Sequence, residues 1–224
     1  YLDALDGGDA VAGRDNAWHY QSKFTFEIFK RLKHPAIMEM STFHHHLWYV
    51  RSRMGAWDHP NRSHKRFIDM HCRANAALER MFLPGNLGWW AFKTWQGPMG
   101  EPTHTDDIEY LAGKALGNNY GLSLMGINPS NVDSIPALPR LAAIVRQYEN
   151  LRHANYFSEA VKERLRAPGE EFALLKNSDG QWRFRPVRYD KHKVDGSDER
   201  SRRWTVDNRF EKQPLQLRIE ALSG

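Results

Sequence analysis

The chain has 224 residues, 41% of them hydrophobic and 12% aromatic, with a net charge of +5 and a single cysteine, Cys72. That length supports one good core or a domain and a half, the aromatic content argues against disorder, and a lone thiol excludes an internal disulfide framework. No apolar run approaches the roughly 18 residues of a membrane helix, and the basic residues alternate with acids, as in KVDGSDERSRR, which reads as solvated surface rather than a nucleic-acid stripe.

The first element is a short apolar strand, Tyr1–Leu5, with Asp3 and Asp6 at its exit. In Asn16–Leu32, Trp18, Phe24, Ile28 and Leu32 recur at helical spacing, with Asp15 or Asn16 as cap. Pro35–Ser41 reads as a second strand carrying Glu39, and Leu47–Val50 as a third apolar segment with a polar exit at Arg51–Asp58. Ser63 is expected to cap a helix reaching about Phe82, stopped by Pro84-Gly85. A fourth strand, 87–95, precedes a helix from Thr105 to Leu116 that Gly117-Asn118-Asn119 closes. A fifth strand follows at 120–127, then a largely helical stretch, Ile135–Ala167.

Strands separated by helices of ordinary length form βαβ units and a parallel sheet. Polar and aromatic residues load the strand exits, whereas the helix-to-strand turns are plain. That pattern predicts an α/β fold, the C-terminal part of a (β/α)8 TIM-type barrel over residues 1–167, working at its strand C-termini. An open doubly wound sheet would advertise a Gly-rich nucleotide turn, and GGDAVAG lacks the G-x-G-x-x-G spacing. From about Pro168 the pattern becomes alternating, with a hairpin turning at Ser178-Asp179-Gly180 and another strand in LQLRIEAL. Residues 168–224 therefore read as the start of a β-sandwich-like domain. Because the chain opens on a strand, the barrel's N-terminal half is expected to precede Tyr1.

Asp3 and Glu39 stand at the ends of successive strands. Neighbouring parallel strands lie roughly 4.8 Å apart, so carboxylates at equal height converge on one cavity. A retaining glycosidase needs such a pair, one carboxylate as nucleophile and the other as general acid then base. Trp89, Trp90 and Trp95, with Trp48, Tyr49 and Trp57, crowd the later strands and their exits, where indole faces could receive sugar C–H surfaces. Asp6, His44, Arg51, Arg53, Asp58 and Lys93 complete the expected substrate-binding set. Asp106 and Asp107 read as caps of the helix that follows. In FHHHLW, His44 and His46 share a strand face, so a metal-dependent hydrolase using them with Asp3 and Glu39 is an alternative. A carbohydrate-binding barrel without chemistry is another. No metal or cofactor is part of the principal reading, and Cys72 reads as a packed thiol.

YLDALDG followed by DNAWHYQSKFTFEIFKRLKHPAIMEMS resembles the mid-barrel of bacterial endo-α-N-acetylgalactosaminidase-type glycoside hydrolases and their uncharacterised relatives. The resemblance covers about residues 1–42. It implies a Y-x-D strand bearing the nucleophile, Asp3, and a later strand ending in the acid/base, Glu39. The family's acidic strand continues through a Trp-Gly pair, where this chain has Met40-Ser41, which leaves the sugar open. The resemblance also implies a carbohydrate substrate and an extracellular or periplasmic location. The reading is a hydrolase of O-glycosidic bonds, with no nucleic-acid or membrane partner.

Overall fold

A computed structural model of the chain describes residues 12–37, 39–40, 47, 50, 53–54, 60–77, 85–95 and 97–221. Among these the fold is mixed α and β. In chain order the main elements are α1 (Arg14–Arg31), β1 (Glu39–Met40), β2 (Arg53–Met54), α2 (His64–Ala76), β3 (Asn86–Ala91), α3 (Thr105–Asn118), β4 (Gly121–Met125), α4 (Leu138–His153), α5 (Glu159–Arg166), β5 (Glu171–Lys176) and β6 (Trp182–Val187).

Parallel pairing occurs twice among the described residues. Glu39 faces Arg53 and Met40 faces Met54 in β1–β2, while β3 and β4 pair from Asn86↔Gly121 to Ala91↔Met125 with a register shift between Asn86 and Trp89. These pairs remain separate two-stranded sheets among the described residues, and no closed barrel is seen. The predicted strand at Leu47–Val50 is displaced. Leu47 and Val50 have helical-turn backbone and are buried, packed with Phe29, and the ladder falls later, at Arg53.

The β3–α3–β4 unit is the centre of the molecule. Helix α3 is buried over almost its whole circumference, as a helix with apolar residues on several faces must be. One side joins Ile68, Leu87, Trp90 and Tyr120 in the first cluster; the other side puts Ala112 and Leu116 against Tyr148, Leu151 and Leu165. Asn119 ends the helix in the left-handed conformation (φ 55°), which asparagine tolerates better than other non-glycine residues. The stop read from Gly117-Asn118-Asn119 thus falls where the sequence placed it.

The hairpin β5–β6 turns through Asn177, whose Oδ1 accepts from the N–H groups of Asp179 and Gln181, with Gly180 at φ 78°. Its Phe172, Leu174, Trp182 and Phe184 enter the same cluster as α3, α4 and α5. The core therefore runs straight across the boundary expected at 167/168. The strand expected in LQLRIEAL forms no ladder among the described residues; it is an extended segment lying on the body.

Two local expectations also change. Ser63 occupies the position before α2, but with left-handed backbone (φ 62°) and no side-chain cap. In α1 the buried residues are Gln21 and Thr25, whereas Trp18 and Phe24 are more than half exposed. The packing partner available to that helix, around Leu47 and Val50, meets a different stripe from the apolar one. Cys72 packs against the first cluster, as read from the sequence.

Candidate functional site

In a β–α–β unit each helix that follows a strand begins at the strand's carboxyl edge, which is where α/β proteins gather their working groups. Both α2 and α3 start at this edge, and two loops brace it. The loop after β3 is tied back by Thr103, whose Oγ1 accepts from Lys93 N–H at 2.8 Å and donates to Ala91 O at 3.0 Å. Glu101 crosses to the other loop: its N–H donates to Asn61 O at 2.7 Å, and its Oε2 accepts from Ser63 N–H at 2.9 Å.

The result is a cluster of buried charge. Glu101, Asp106 and Asp107 are each less than a tenth exposed, and all three meet Arg218. Arg218 Nη2 lies 2.6 Å from Glu101 Oε1, and Nη1 lies 3.1 Å from both Asp106 Oδ2 and Asp107 Oδ1. Lys65 Nζ bridges Asp106 (2.7 Å) and Glu171 (2.6 Å) and lies 4.8 Å from the centroid of the Tyr189 ring. His64 Nδ1 stands 3.7 Å from Asp107 Oδ2. The α3 dipole adds to this, since Asp106 and Asp107 occupy its positive end.

Electrostatics divide these groups. Burial opposes the charge on Asp107, but His64, Arg218 and the His104 N–H outweigh it and hold its carboxyl at about 2. Burial likewise opposes the charge on Lys65, and Asp106 with Glu171 overcomes it, raising the ammonium above its usual value. Glu171 is pushed up by burial despite Lys65, and His104 is pushed down by burial and by Arg218. Asp107 also accepts from His104 N–H at 3.0 Å, so the capping role read from the sequence is present, together with a clamp on Arg218 that the sequence did not suggest.

A cleft of about 910 Å³ opens beside the cluster. Lys65, Tyr189, His192, Trp204 and Arg218 are among its lining. His192 and Trp204 stack within it, 4.3 Å apart and 18° from parallel.

The residues expected to bind substrate are placed unevenly. Asp3, Asp6, His44, Arg51 and Asp58 lie outside the described residues, as do Trp48, Tyr49 and Trp57. Glu39 and Arg53 are register partners on β1 and β2. Trp90 is corrected: it is 3% exposed, its indole N–H donates to Leu87 O at 2.6 Å, and its ring packs edge-on to Phe67, so it fills the core. Trp89, its neighbour in an alternating strand, is half-buried. Trp95 is exposed and donates to Ala221 O at 2.9 Å. Lys93 leaves β3 as expected, but its ammonium turns to Pro60 O (3.1 Å) and Asn61 Oδ1 (3.4 Å), with burial lowering its pKa.

Sequence reasoning missed Glu101, Lys65, Glu171, Tyr189 and above all Arg218. The one available signal was LQLRIEAL itself, whose alternation puts Arg218 and Glu220 on one side. Among the described residues no group of His, Cys, Asp and Glu has a metal-holding arrangement, and no helix is long and apolar enough to cross a membrane.

No family model, no curated protein and no solved structure matches this chain. What the fold and the site define is an α/β protein with a charged cleft at the carboxyl edge of its central parallel strands.

Proposed function

We propose that the protein is a glycoside hydrolase of the retaining type, built on the C-terminal part of a (β/α)8 barrel. Asp3 is the nucleophile at the anomeric carbon, and Glu39 protonates the leaving oxygen and then deprotonates the incoming water. The observation that carries the reading is the parallel register of β1 and β2, with Glu39 opposite Arg53. A carboxylate on a parallel strand, near its exit, stands at the edge where such folds place chemistry. The second parallel pair supports it, because its own carboxyl edge holds a charged, aromatic-lined cleft large enough for a saccharide.

In this reading Asp3 stays ionised while Glu39 keeps its proton in the resting enzyme, a division that the two surroundings must impose. The carboxyl groups then stand about 5–5.5 Å apart. Trp89, Trp95 and the stacked His192–Trp204 pair offer ring faces to sugar C–H surfaces. Arg51, Arg53 and Asp58 remain the expected hydroxyl-binding groups.

The test uses the full-length chain on a panel of oligosaccharides, with reducing-sugar release as the readout. Asp3→Asn abolishes turnover without loss of folding, and Glu39→Gln lowers it by about 10²–10⁴-fold. Near-parental turnover in either variant rejects the assignment. Saccharide binding by the parent with no sugar released would instead identify a carbohydrate-binding protein.

A further inference from the structure

The extended segment 213–221 has an unusual hold on the body. Two of its polar residues face inward: Arg218 enters the Glu101–Asp106–Asp107 cradle and Glu220 pairs with Arg62 at 2.9 Å, while the exposed Gln216 accepts from Tyr189 Oη at 2.5 Å. Its apolar residues face out, with Leu215, Leu217 and Ile219 72%, 68% and 85% exposed. An ordinary surface strand does the reverse, burying the apolar side and wetting the polar one. Almost no hydrophobic area therefore holds this segment down, and no strand ladder among the described residues includes it. Its attachment is carried by ion pairs and hydrogen bonds: Arg218 makes all three contacts with the buried carboxylates, and Gln213 to Pro186 O and Trp95 Nε1 to Ala221 O tie the two ends.

We infer that residues 213–221 are a strap latched by charge, and that release of Arg218 from its three carboxylates opens the cleft whose wall the strap forms. Two features make both states accessible. In the closed state the guanidinium fork satisfies Glu101, Asp106 and Asp107 at once, which suits a bidentate donor and would not suit a lysine equally. In the open state those carboxylates rehydrate at the mouth of the cleft, and the strap takes its leucines and isoleucine with it, so little apolar contact is lost. The segment contributes Leu215, Gln216, Leu217, Arg218 and Glu220 to the cleft wall, so its position sets access to the cluster. The inference stands on these contacts alone and does not require the glycosidase reading.

Spin labels at Leu217→Cys and Ser178→Cys, in the full chain with Cys72→Ala, report the strap against the tip of the β5–β6 hairpin. The expected parent distribution is narrow. Arg218→Gln broadens it and moves it outward on the order of 10 Å, the swing available to a few extended residues. Arg218→Lys gives an intermediate width, because charge survives and the fork does not. If Arg218→Gln fails to fold, Arg218→Lys decides, since it keeps the charge and loses the fork that reaches all three carboxylates: broadening supports the latch and an unchanged distribution overturns it. An equally narrow distribution in Arg218→Gln, or a broad one in the parent, also overturns it.

Discussion

Tyr110 Oη donates to Asp69 at 2.7 Å from one carboxylate oxygen and 2.8 Å from the other, and Gly169 N–H reaches the same pair at 2.9 and 3.1 Å. Three pieces of chain distant in sequence, α2, α3 and the turn before β5, are joined at this point. Lys114 completes it from below: its buried ammonium donates to Ala167 O, lies 3.9 Å from Asp69 Oδ1 and 4.7 Å from the Tyr110 ring centroid. The network fixes where α3 stands and hence where Asp106 and Asp107, a turn earlier, present themselves.

Tyr110→Phe keeps the ring and removes the hydroxyl, leaving Asp69 with fewer donors in a half-buried place. A hydrogen bond to a charged acceptor contributes about 1.5–3 kcal/mol. Urea unfolding should show a loss of that order. A stability equal to the parent's would mean that water replaces the phenol at no cost, and that the network does not position α3.

At Gly117 the backbone of α3 lies close against α5. A Cβ there would meet Leu165 Cβ and Lys162 O at 3.0 Å and Arg166 N at 3.3 Å. Two of those atoms are backbone, and α5 cannot simply retreat because Arg166 Nε donates to Gly117 O at 2.7 Å. Gly117→Ala gains about 1 kcal/mol of helix propensity and loses about 1–3 kcal/mol to overpacking. The expected balance is a net destabilisation. A higher melting temperature for Gly117→Ala would show that α5 yields.

Glu109 sits under the hairpin, its Oε1 accepting from Leu174 N–H at 3.3 Å. Burial pushes its carboxyl up to about 7, only partly opposed by that N–H. The unfolded group titrates near 4.5, so between about pH 4.5 and 7 the folded chain retains a proton the unfolded chain has lost, and stability falls as pH rises through that window. Burial lowers His71 from 6.5 to about 4, which makes its own contribution rise with pH between those values. The two slopes oppose each other in the parent. The difference between Glu109→Gln and the parent isolates the first: the variant should gain about 1–3 kcal/mol relative to the parent from pH 4.5 to 7. A difference that stays flat across the window contradicts the shift.

Much of the local structure was legible because it depends on neighbouring residues. The helical spacing and Asn-rich stop of α3, the alternation of β5–β6 and the Asn177–Gly180 turn all follow from short-range chemistry. Tertiary packing decided the rest. Nothing in Asn16–Leu32 indicated that Gln21 and Thr25 would face inward, because which stripe of a helix is buried depends on what it meets. The adjacent Trp89 and Trp90 could not be told apart by composition; the face of β3 that meets Phe67 took Trp90 into the core. LQLRIEAL read as a strand because it alternates, and it does alternate, but the polar side found the buried carboxylates and turned the apolar side outward. Contacts separated by 117 positions, as Arg218 and Glu101 are, leave no local trace.

The central claim is that Asp3 attacks a sugar and Glu39 assists. An activated 2-deoxy-2-fluoro glycosyl fluoride slows breakdown of a glycosyl–enzyme ester more than its formation, so the intermediate accumulates on the nucleophile. Treating the full-length chain with a panel of such sugars, followed by peptide mass mapping, is the most direct measurement. A single glycosyl adduct on the carboxyl of Asp3, absent from Asp3→Asn, is the expected result. An adduct on any other residue, or none from a chain that releases sugar, contradicts it.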